Sequence, residues 1–267
     1  MLKRHESADG VVVYRSALLE EVGTPHGFST RIGGLSPRPF DSMNLGNPNG
    51  CEVQDLRERI RENYRILLRA VGLEGRQWMY LHQVHGARAV RVERGKKHDN
   101  DLKADVLVGD DAERALSVRV ADCAPVLLAS EDGKLVAAGH AGWRGIVAGA
   151  VVEALGEMEK WRGVKPDRVI AAIGPSIGFD AFEVGGEVID EFQRAFGEDA
   201  PVRRRDDGKG HVDLRETLRR QLLGAGVREK NIDCTDRCTY SHADEFFSHR
   251  RDKGITGRMA AVIAAAR

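Results

Sequence analysis

Three short segments concentrate side chains that bind metals or act as nucleophiles. They read "LHQVHG" (81–86), "ADCAPVLL" (121–128) and "GHAGWRG" (139–145). Each lies at the end of an apolar run or in a glycine-limited turn, where a side chain can face a cleft. Taken singly, a histidine or cysteine in such a place is more often a structural residue. Taken together, the three segments offer two kinds of chemistry.

The first kind is a metal site, and the second is nucleophilic catalysis. Two histidines and one cysteine are a three-ligand set used by catalytic zinc, with a fourth position left for water. A cysteine beside a histidine is also a nucleophile and base pair. The residue types leave both open. A purely structural zinc site would normally have four protein ligands, and only three strong ones are visible.

A predicted hairpin brings two of these residues together. The strand-like runs 115–130 and 134–142 are joined by "EDGK", with the turn predicted at residues 132–133. Cys123 then lies on one arm and His140 at the end of the other. The hairpin places them near each other without any long-range assumption.

The third partner comes from "LHQVHG", where either histidine is available. His82 and His85 are three residues apart, so on an extended strand they would face opposite sides. The glycine after His85 favours that histidine for close approach to the site.

Three arginines also lie in turns that suit anion recognition. Arg31 is in "FSTRIGGLS", Arg144 in "GWRG" and Arg250 in "FFSHRR". Arginine on a glycine-rich loop suits bidentate binding of phosphate or carboxylate. A further set, Cys234, Cys238 and His242, would form a stripe on a helix, but its Asp- and Thr-rich surroundings favour local packing over a second metal site.

Composition limits the partners and the compartment. The 267 residues include 41 basic and 41 acidic side chains, so no net field favours nucleic acid or an anionic membrane. No apolar stretch approaches the roughly 20 residues of a membrane span, and the first residues lack the apolar centre of a signal peptide. The four cysteines show no disulfide framework. We therefore expect a cytoplasmic protein, and a monomer.

Strands and helices are interspersed, without the strict alternation of a doubly wound parallel sheet. Strands are predicted at 10–16, 87–92, 104–109, 115–130, 134–142 and 167–174. Helices are predicted at 53–71, 145–160, 185–197, 212–226 and 255–266. We expect one domain over 1–267, an α/β layered sandwich of the α-β-β-α type with mixed or antiparallel sheet.

The motifs, taken in order, resemble the signature blocks of one known family. The matching blocks are "FSTRIGGLS", "NLG" (44–46), "QVHG", "ADCAPVLL", "HAGWRG", "IGPSIG", "FEVG" (182–185), "CT" (238–239) and "FFSHRRDKGITGRMAAVI" (246–263). The family was first named for multicopper polyphenol oxidase, or laccase, domain proteins. It is now associated with purine nucleoside phosphorylase, adenosine deaminase and methylthioadenosine phosphorylase activities. One bacterial branch is described as a peptidoglycan-editing factor.

The resemblance implies a single-domain α/β sandwich that holds zinc through His85, Cys123 and His140. It implies phosphorolysis of adenosine, inosine or methylthioadenosine, with adenosine deamination as a further activity. Asp122, beside the ligand cysteine, is the candidate proton carrier.

Phosphorolysis also needs a phosphate clamp and contacts to the nucleoside. We assign the phosphate clamp to Arg31 and Arg144, a further substrate contact to Arg250, and to Trp143 either a stacking wall for a purine or a place in the core. The chain has Ala181–Phe182 and His249 where many relatives have Cys-Tyr and Tyr, which puts the substrate range in question.

Other functions stay open. Multicopper oxidation needs many histidine ligands, and nine scattered histidines make it implausible. A metal-free hydrolase of peptidoglycan precursors would use Cys123 as nucleophile and His140 as base. The non-enzymatic alternative is a quality-control module in cell-wall synthesis with a structural zinc.

Overall fold

The computed structural model describes residues 1–48 and 50–267, which form fifteen strands and six α-helices. The strands are β1 Lys3–Glu6, β2 Val12–Arg15, β3 His26–Ser29, β4 Gln77–Met79, β5 Ala89–Val92, β6 Val106–Gly109, β7 Arg114–Val120, β8 Ala124–Ser130, β9 Val136–Ala141, β10 Val169–Ile173, β11 Glu183–Val184, β12 Val202–Arg204, β13 Gly210–Val212, β14 Ile232–Cys234 and β15 Met259–Ile263. The helices are α1 Ala17–Glu21, α2 Arg57–Ala70, α3 Trp143–Val147, α4 Ala150–Arg162, α5 Gly186–Phe196 and α6 Leu214–Gly224. Across these ranges, no helix is long and apolar enough to cross a membrane.

Two six-stranded sheets dominate the described chain. The first has the order β1-β2-β3-β15-β7-β4, the second β14-β10-β8-β9-β6-β5, and a small third sheet has the order β11-β13-β12. Three neighbouring pairs, β4 with β7, β5 with β6 and β10 with β14, are parallel, and the other pairs are antiparallel. The predicted mixed sheet is confirmed.

The layers follow from strands that are apolar on both faces. In β6, Val106 and Val108 belong to the core between the second sheet and the helices, whereas Leu107 belongs to the core between the two sheets. Successive strand residues point to opposite faces, so the continuous run "VLV" is what a strand buried on both sides requires.

Helices close both outer faces of the two sheets. Helix α2 covers the first sheet with Tyr64 and Leu67. The second sheet is covered by a helical layer that includes Leu155 of α4 and Leu218 of α6. The order helix, sheet, sheet, helix is therefore the α-β-β-α sandwich that the sequence predicts.

One predicted helix is wrong. Residues 255–266 contain a strand, β15, which lies between β3 and β7 in the first sheet. All five of its residues are buried, so its alanines pack between neighbouring layers and do not form one face of a helix. A short run that is apolar throughout carries no periodicity that separates a strand from a helix.

Two other predicted elements are interrupted by left-handed backbone. The run 115–130 divides into β7 and β8, which belong to different sheets, and Asp122 at the crossing has φ 84°. The helix predicted at 145–160 divides into α3 and α4 at Gly149, where φ is 81°. The hairpin itself is confirmed, because β8 pairs with β9 and Gly133 in its turn has φ 69°.

The buried His26 at the start of β3 gives the fold a pH dependence. Its Nε2 accepts a hydrogen bond from the Ser16 backbone N–H at 2.9 Å, and its Nδ1 lies 2.9 Å from the Thr24 carbonyl oxygen. The folded chain therefore holds a neutral ring, and burial lowers the pKa of His26. Below about pH 6.5 the ring takes up a proton in the unfolded chain but stays neutral in the folded chain. The free energy of unfolding therefore decreases as the pH is lowered.

We expect His26→Gln to reduce this loss. Urea unfolding measures the free energy of unfolding at pH 7.5 and at pH 5.5. From the higher to the lower pH, this free energy should fall by up to about 1.4 kcal/mol more in the wild type than in the variant. Equal losses would show that the ring is not held neutral.

Candidate metal centre and its cavity

The ends of three chain segments bring His85, Cys123 and His140 together. His140 lies on β9, and the pairing of β8 with β9 sets Pro125 opposite His140, so Cys123 lies close beside it. The donor atoms of the three residues all lie within 4.8 Å of one another. The rings of His85 and His140 meet edge to face, with centroids 4.8 Å apart. The predicted trio is thus assembled in space.

His85 reaches the cluster for a reason the sequence did not show. It does not lie on an extended strand, because its φ is 61° and it forms part of a turn. The backbone N–H groups of Val84, His85 and Gly86 all donate to the Asp105 carboxylate, at 3.2, 2.9 and 2.7 Å. The turn is wrapped around a buried anion, and this holds His85 in its left-handed conformation.

The same carboxylate orients His140. Asp105 Oδ1 lies 2.8 Å from His140 Nδ1, and neither side chain is exposed by more than 4%. A carboxylate partner fixes the proton on Nδ1 and leaves Nε2 to face a metal or the Cys123 thiol. Sequence reasoning missed Asp105. The available signal was an acidic residue placed directly before the fully buried strand β6.

The charges of the cluster favour a thiolate. Burial alone would raise the pKa of Cys123, but His140 and then His85 outweigh it and lower this pKa. Burial alone would lower the pKa of His140, but the Cys123 charge and the Asp105 carboxylate outweigh it and raise this pKa. A thiolate is the form that binds metal and the form that attacks as a nucleophile.

The donor set fits a single metal ion. One thiolate and two imidazoles are ligands that zinc prefers, and Asp105 supplies the partner that metal-bound histidines commonly have. Within the described ranges this is the one group of three or more such side chains. Cys234, by contrast, lies on strand β14, so the alternative helical stripe with Cys238 and His242 does not form.

The cluster opens into a cavity of about 370 Å³, within the range of small-ligand sites. Predicted residues that line it, besides the trio, are Asp122, Trp143, Arg144 and Arg250. Lining residues that the sequence reasoning did not single out for this role include Arg119, Leu214 and Arg258. Residues from both large sheets and from the helical layer therefore share one pocket.

Arg31 is not among the lining residues. Its Nε donates to the Asp41 carbonyl at 2.7 Å and its Nη1 to the Ala243 carbonyl at 3.0 Å. Its guanidinium also lies 4.6 Å from the centre of the Phe247 ring. Arg31 thus connects the loops that contain Asp41 and Ala243, and it does not line the cavity with the other predicted site residues.

Asp122 lines the cavity, and its carboxylate already accepts hydrogen bonds from two other residues. One carboxylate oxygen accepts from the Thr239 hydroxyl at 2.6 Å, and the other accepts from the Arg250 backbone N–H at 2.7 Å. Asp122 therefore ties the segments at 239 and 250 to the chain next to Cys123. Its role as proton carrier stays a prediction.

Comparison with known proteins agrees with this architecture. The profile of the family described as multi-copper polyphenol oxidoreductase laccase matches residues 25–266. The chain is 37% identical over 235 residues to purine nucleoside phosphorylase YfiH of Escherichia coli, covering 88% of this chain and 91% of that protein. This chain belongs to that polyphenol oxidoreductase family.

A further relative agrees in sequence and in fold. Purine nucleoside phosphorylase YlmD of Geobacillus stearothermophilus is 34% identical over 250 residues, covering 90% of each chain. The crystal structure of YlmD from Geobacillus stearothermophilus superposes with a TM-score of 0.89 at 31% identity, over 99% of each chain.

The two departures from the usual family blocks both reach the cavity. Phe182 and His249 line it, next to the predicted contact Arg250. Burial lowers the pKa of His249, and the charge of Arg258 lowers it further. The departures expected from the family blocks therefore concern residues of the cavity lining.

Gly142 is the position where the cluster has no room for a side chain. A Cβ there would lie 2.9 Å from His85 Cδ2 and 3.0 Å from Cys123 Sγ. We expect Gly142→Ala to displace a ligand and to lower bound metal, as measured by elemental analysis. Gly156→Ala is the matched control, because nothing lies within 4 Å of its Cβ position in α4, and it should keep the wild-type metal content.

Asp105→Asn should weaken metal binding by about 10- to 100-fold, because the amide no longer supplies a charge to His140 and the 84–86 turn. Competition with a chromophoric chelator measures the affinity. Asp111→Asn is the control, since Asp111 is also buried but caps the turn before β7. Equal affinities in both variants would remove Asp105 from this role.

Proposed function

We propose that this chain is a zinc-dependent purine nucleoside phosphorylase, built as one domain over 1–267. The observation that carries the proposal is the His85–Cys123–His140 cluster, which opens into a cavity lined by aromatic and arginine side chains. Relatives with 34% to 37% identity over most of their length carry that enzyme's name. Zinc is favoured over copper because a multicopper site needs more histidine ligands than one group of three.

The proposed substrates are adenosine, inosine and methylthioadenosine. Trp143 and Phe182 give the cavity an aromatic wall against which a purine can stack. Each ring has a guanidinium over it, Arg144 at 4.2 Å from the Trp143 ring centre and Arg250 at 5.4 Å from that of Phe182. The wall therefore combines flat apolar surface with hydrogen-bond donors for the polar edge of a nucleoside.

The proposed reaction exchanges one bond at the ribose. A phosphate oxygen bonds to C1′ as the C1′–N9 bond breaks, and the electron pair goes to the purine. The purine takes up the proton that the phosphate ester loses, and we assign this transfer to Asp122. A metal held by the cluster would supply a Lewis acid beside the cavity. Adenosine deamination, in which water replaces the 6-amino group and ammonia leaves, is the second activity that we assign here.

We also propose a cytoplasmic monomer. The support is the balanced charge of the chain and its four cysteines, which are all unpaired thiols in the structure. Reduced thiols are typical of proteins in a reducing compartment.

Incubation of the zinc-loaded protein with adenosine, with and without phosphate, tests the activity. Adenine and ribose 1-phosphate should form only with phosphate, and inosine should form without it. Cys123→Ala should abolish both, whereas Cys234→Ala, which alters a cysteine outside the cavity, should retain both. Full activity in Cys123→Ala would refute the site, and the absence of both products in the wild type would refute the function.

A specific observation supports a second candidate, a thiol hydrolase acting on peptidoglycan precursors. Cys123, His140 and Asp105 stand in the order nucleophile, base and orienting carboxylate, with 2.8 Å between His140 and Asp105. Chelation separates the two functions. A zinc enzyme loses activity when a chelator removes the ion, whereas a thiol hydrolase keeps or gains amide-cleaving activity because its thiolate is set free.

A further inference from the structure

Two arginines that sequence reasoning did not single out share one face of the first sheet. Arg119 lies near the end of β7, and Arg258 directly precedes β15. The pairing of these strands sets Ala260 opposite Arg119. Arg258 is two residues from Ala260, so the two arginines are diagonal neighbours on the same face of the antiparallel pair. Both line the cavity that contains the metal cluster.

The "NLG" segment fixes the stems of both arginines. A Cβ added to Gly46 would lie 2.9 Å from Arg119 Cδ and 3.5 Å from Arg258 Cγ, so this glycine packs against both side chains. Asn44 Oδ1 accepts from the Arg258 backbone N–H at 3.0 Å and from the Gly46 N–H at 3.1 Å. Asn44 is fully buried and its amide donates to Asp55. Packing against Gly46 and the hydrogen bond from Arg258 to Asn44 therefore hold the arginine pair in place.

Gln83 couples Arg119 to the turn that carries His85. Its Nε2 donates to the Arg119 carbonyl at 2.8 Å, and its Oε1 accepts from the Arg119 N–H at 2.8 Å. Gln83 is two residues from the metal ligand in the "QVHG" block. Hydrogen bonds between the Gln83 side chain and the Arg119 backbone therefore connect the arginine pair to the turn that carries His85.

The two guanidinium groups lack carboxylate partners within the described chain. Arg258 Nη1 donates to the Thr256 and Gly257 carbonyls at 3.0 Å each, and Arg119 Nη2 lies 3.3 Å from the Leu81 carbonyl oxygen. Among described residues no acceptor meets the Nε or the remaining Nη of either arginine. Each therefore keeps two N–H-bearing nitrogens without an acceptor in the described chain, on a side chain that lines the cavity.

The field in this part of the cavity is positive although the chain is neutral. Burial lowers the pKa of Arg258, which means that its charge is held partly out of water. Two acidic groups line the cavity within the described ranges: the Asp122 carboxylate, whose oxygens are already used by Thr239 and Arg250, and the Cys123 thiol, whose charge favours the Arg258 cation. Four arginines line the cavity against these two acidic groups, and half-buried cations in excess are stabilised by a bound anion.

We propose that Arg119 and Arg258 form the subsite that binds inorganic phosphate as co-substrate. Two planar donor forks suit a tetrahedral oxyanion with a double negative charge. The assignment rests on the proposed phosphorylase function and gives these two arginines the role that the sequence patterns assigned to Arg31 and Arg144. Bound there, the phosphate lies in the same cavity as the cluster and the aromatic wall, so that one of its oxygens can meet C1′ of the nucleoside.

Titration calorimetry with inorganic phosphate tests the subsite without turnover. Arg258→Lys and Arg119→Lys, each keeping the charge but losing the fork, should bind phosphate about 10- to 100-fold more weakly than the zinc-loaded wild type. Their phosphate KM should rise by a similar factor, while their nucleoside KM changes little. Arg31→Lys should leave both phosphate values unchanged. Thermal melting and metal content identify any variant that fails to fold, and the second arginine variant then carries the test.

The outcomes separate the two proposals. Phosphate binding that the lysine variants weaken, without any ribose 1-phosphate from the wild type, would support the subsite and refute the phosphorylase. Phosphorolysis with phosphate binding and phosphate KM unchanged in both variants would refute the subsite and leave the enzyme standing. A loss confined to Arg31→Lys would return the clamp to Arg31, and absence of phosphate binding by the wild type would overturn the subsite.

Discussion

The buried Asp105 carboxylate is the contact on which the candidate site depends. It accepts three backbone N–H groups from the turn that carries His85 and lies 2.8 Å from Nδ1 of His140. One fully buried charge therefore positions two of the three candidate ligands, from segments more than fifty residues apart in the sequence. Such a charge is tolerated in the interior only because its oxygens are saturated with donors. Removing it would release both histidines together, so the two ligands form one structural unit.

Two residues in or beside the cluster have left-handed backbone conformations that are unfavourable for residues other than glycine. His85 has φ 61° and Asp122 has φ 84°, and each lies at or beside a ligand. Non-glycine residues in this region cost on the order of 1–3 kcal/mol and persist only where the surroundings hold them. The surroundings are visible here: Asp105 holds the turn of His85, while Thr239 and Arg250 hold the carboxylate of Asp122. At Asp122 the chain leaves one sheet for the other, so the strained residue also directs the crossing that presents Cys123.

The sequence predicted which three side chains come together better than it predicted what supports them. Cys123 and His140 could be paired because a hairpin is a local feature with a readable turn, and His85 followed from its glycine and from the family resemblance. Asp105, Arg119 and Arg258 escaped notice because their roles depend on contacts between distant strands. The strand β15 was predicted as a helix because a run buried on both faces has no polar side to reveal its period. Arg31 is an arginine beside a glycine-rich turn, as the prediction of an anion site requires, yet its guanidinium already donates to nearby carbonyl oxygens.

The arginines also bear on which chemistry the cluster performs. The Cys123–His140 pair by itself fits a thiol nucleophile as well as a metal ligand set, because both uses need a thiolate. A thiol hydrolase also gains from a guanidinium near its cysteine, because a positive charge stabilises the thiolate. A doubly charged oxyanion as second substrate would in addition accept hydrogen bonds from the planar forks of both arginines. The positive charge of the pair therefore suits both chemistries, and it is the geometry of the two donor forks that distinguishes a phosphate co-substrate from a neutral amide.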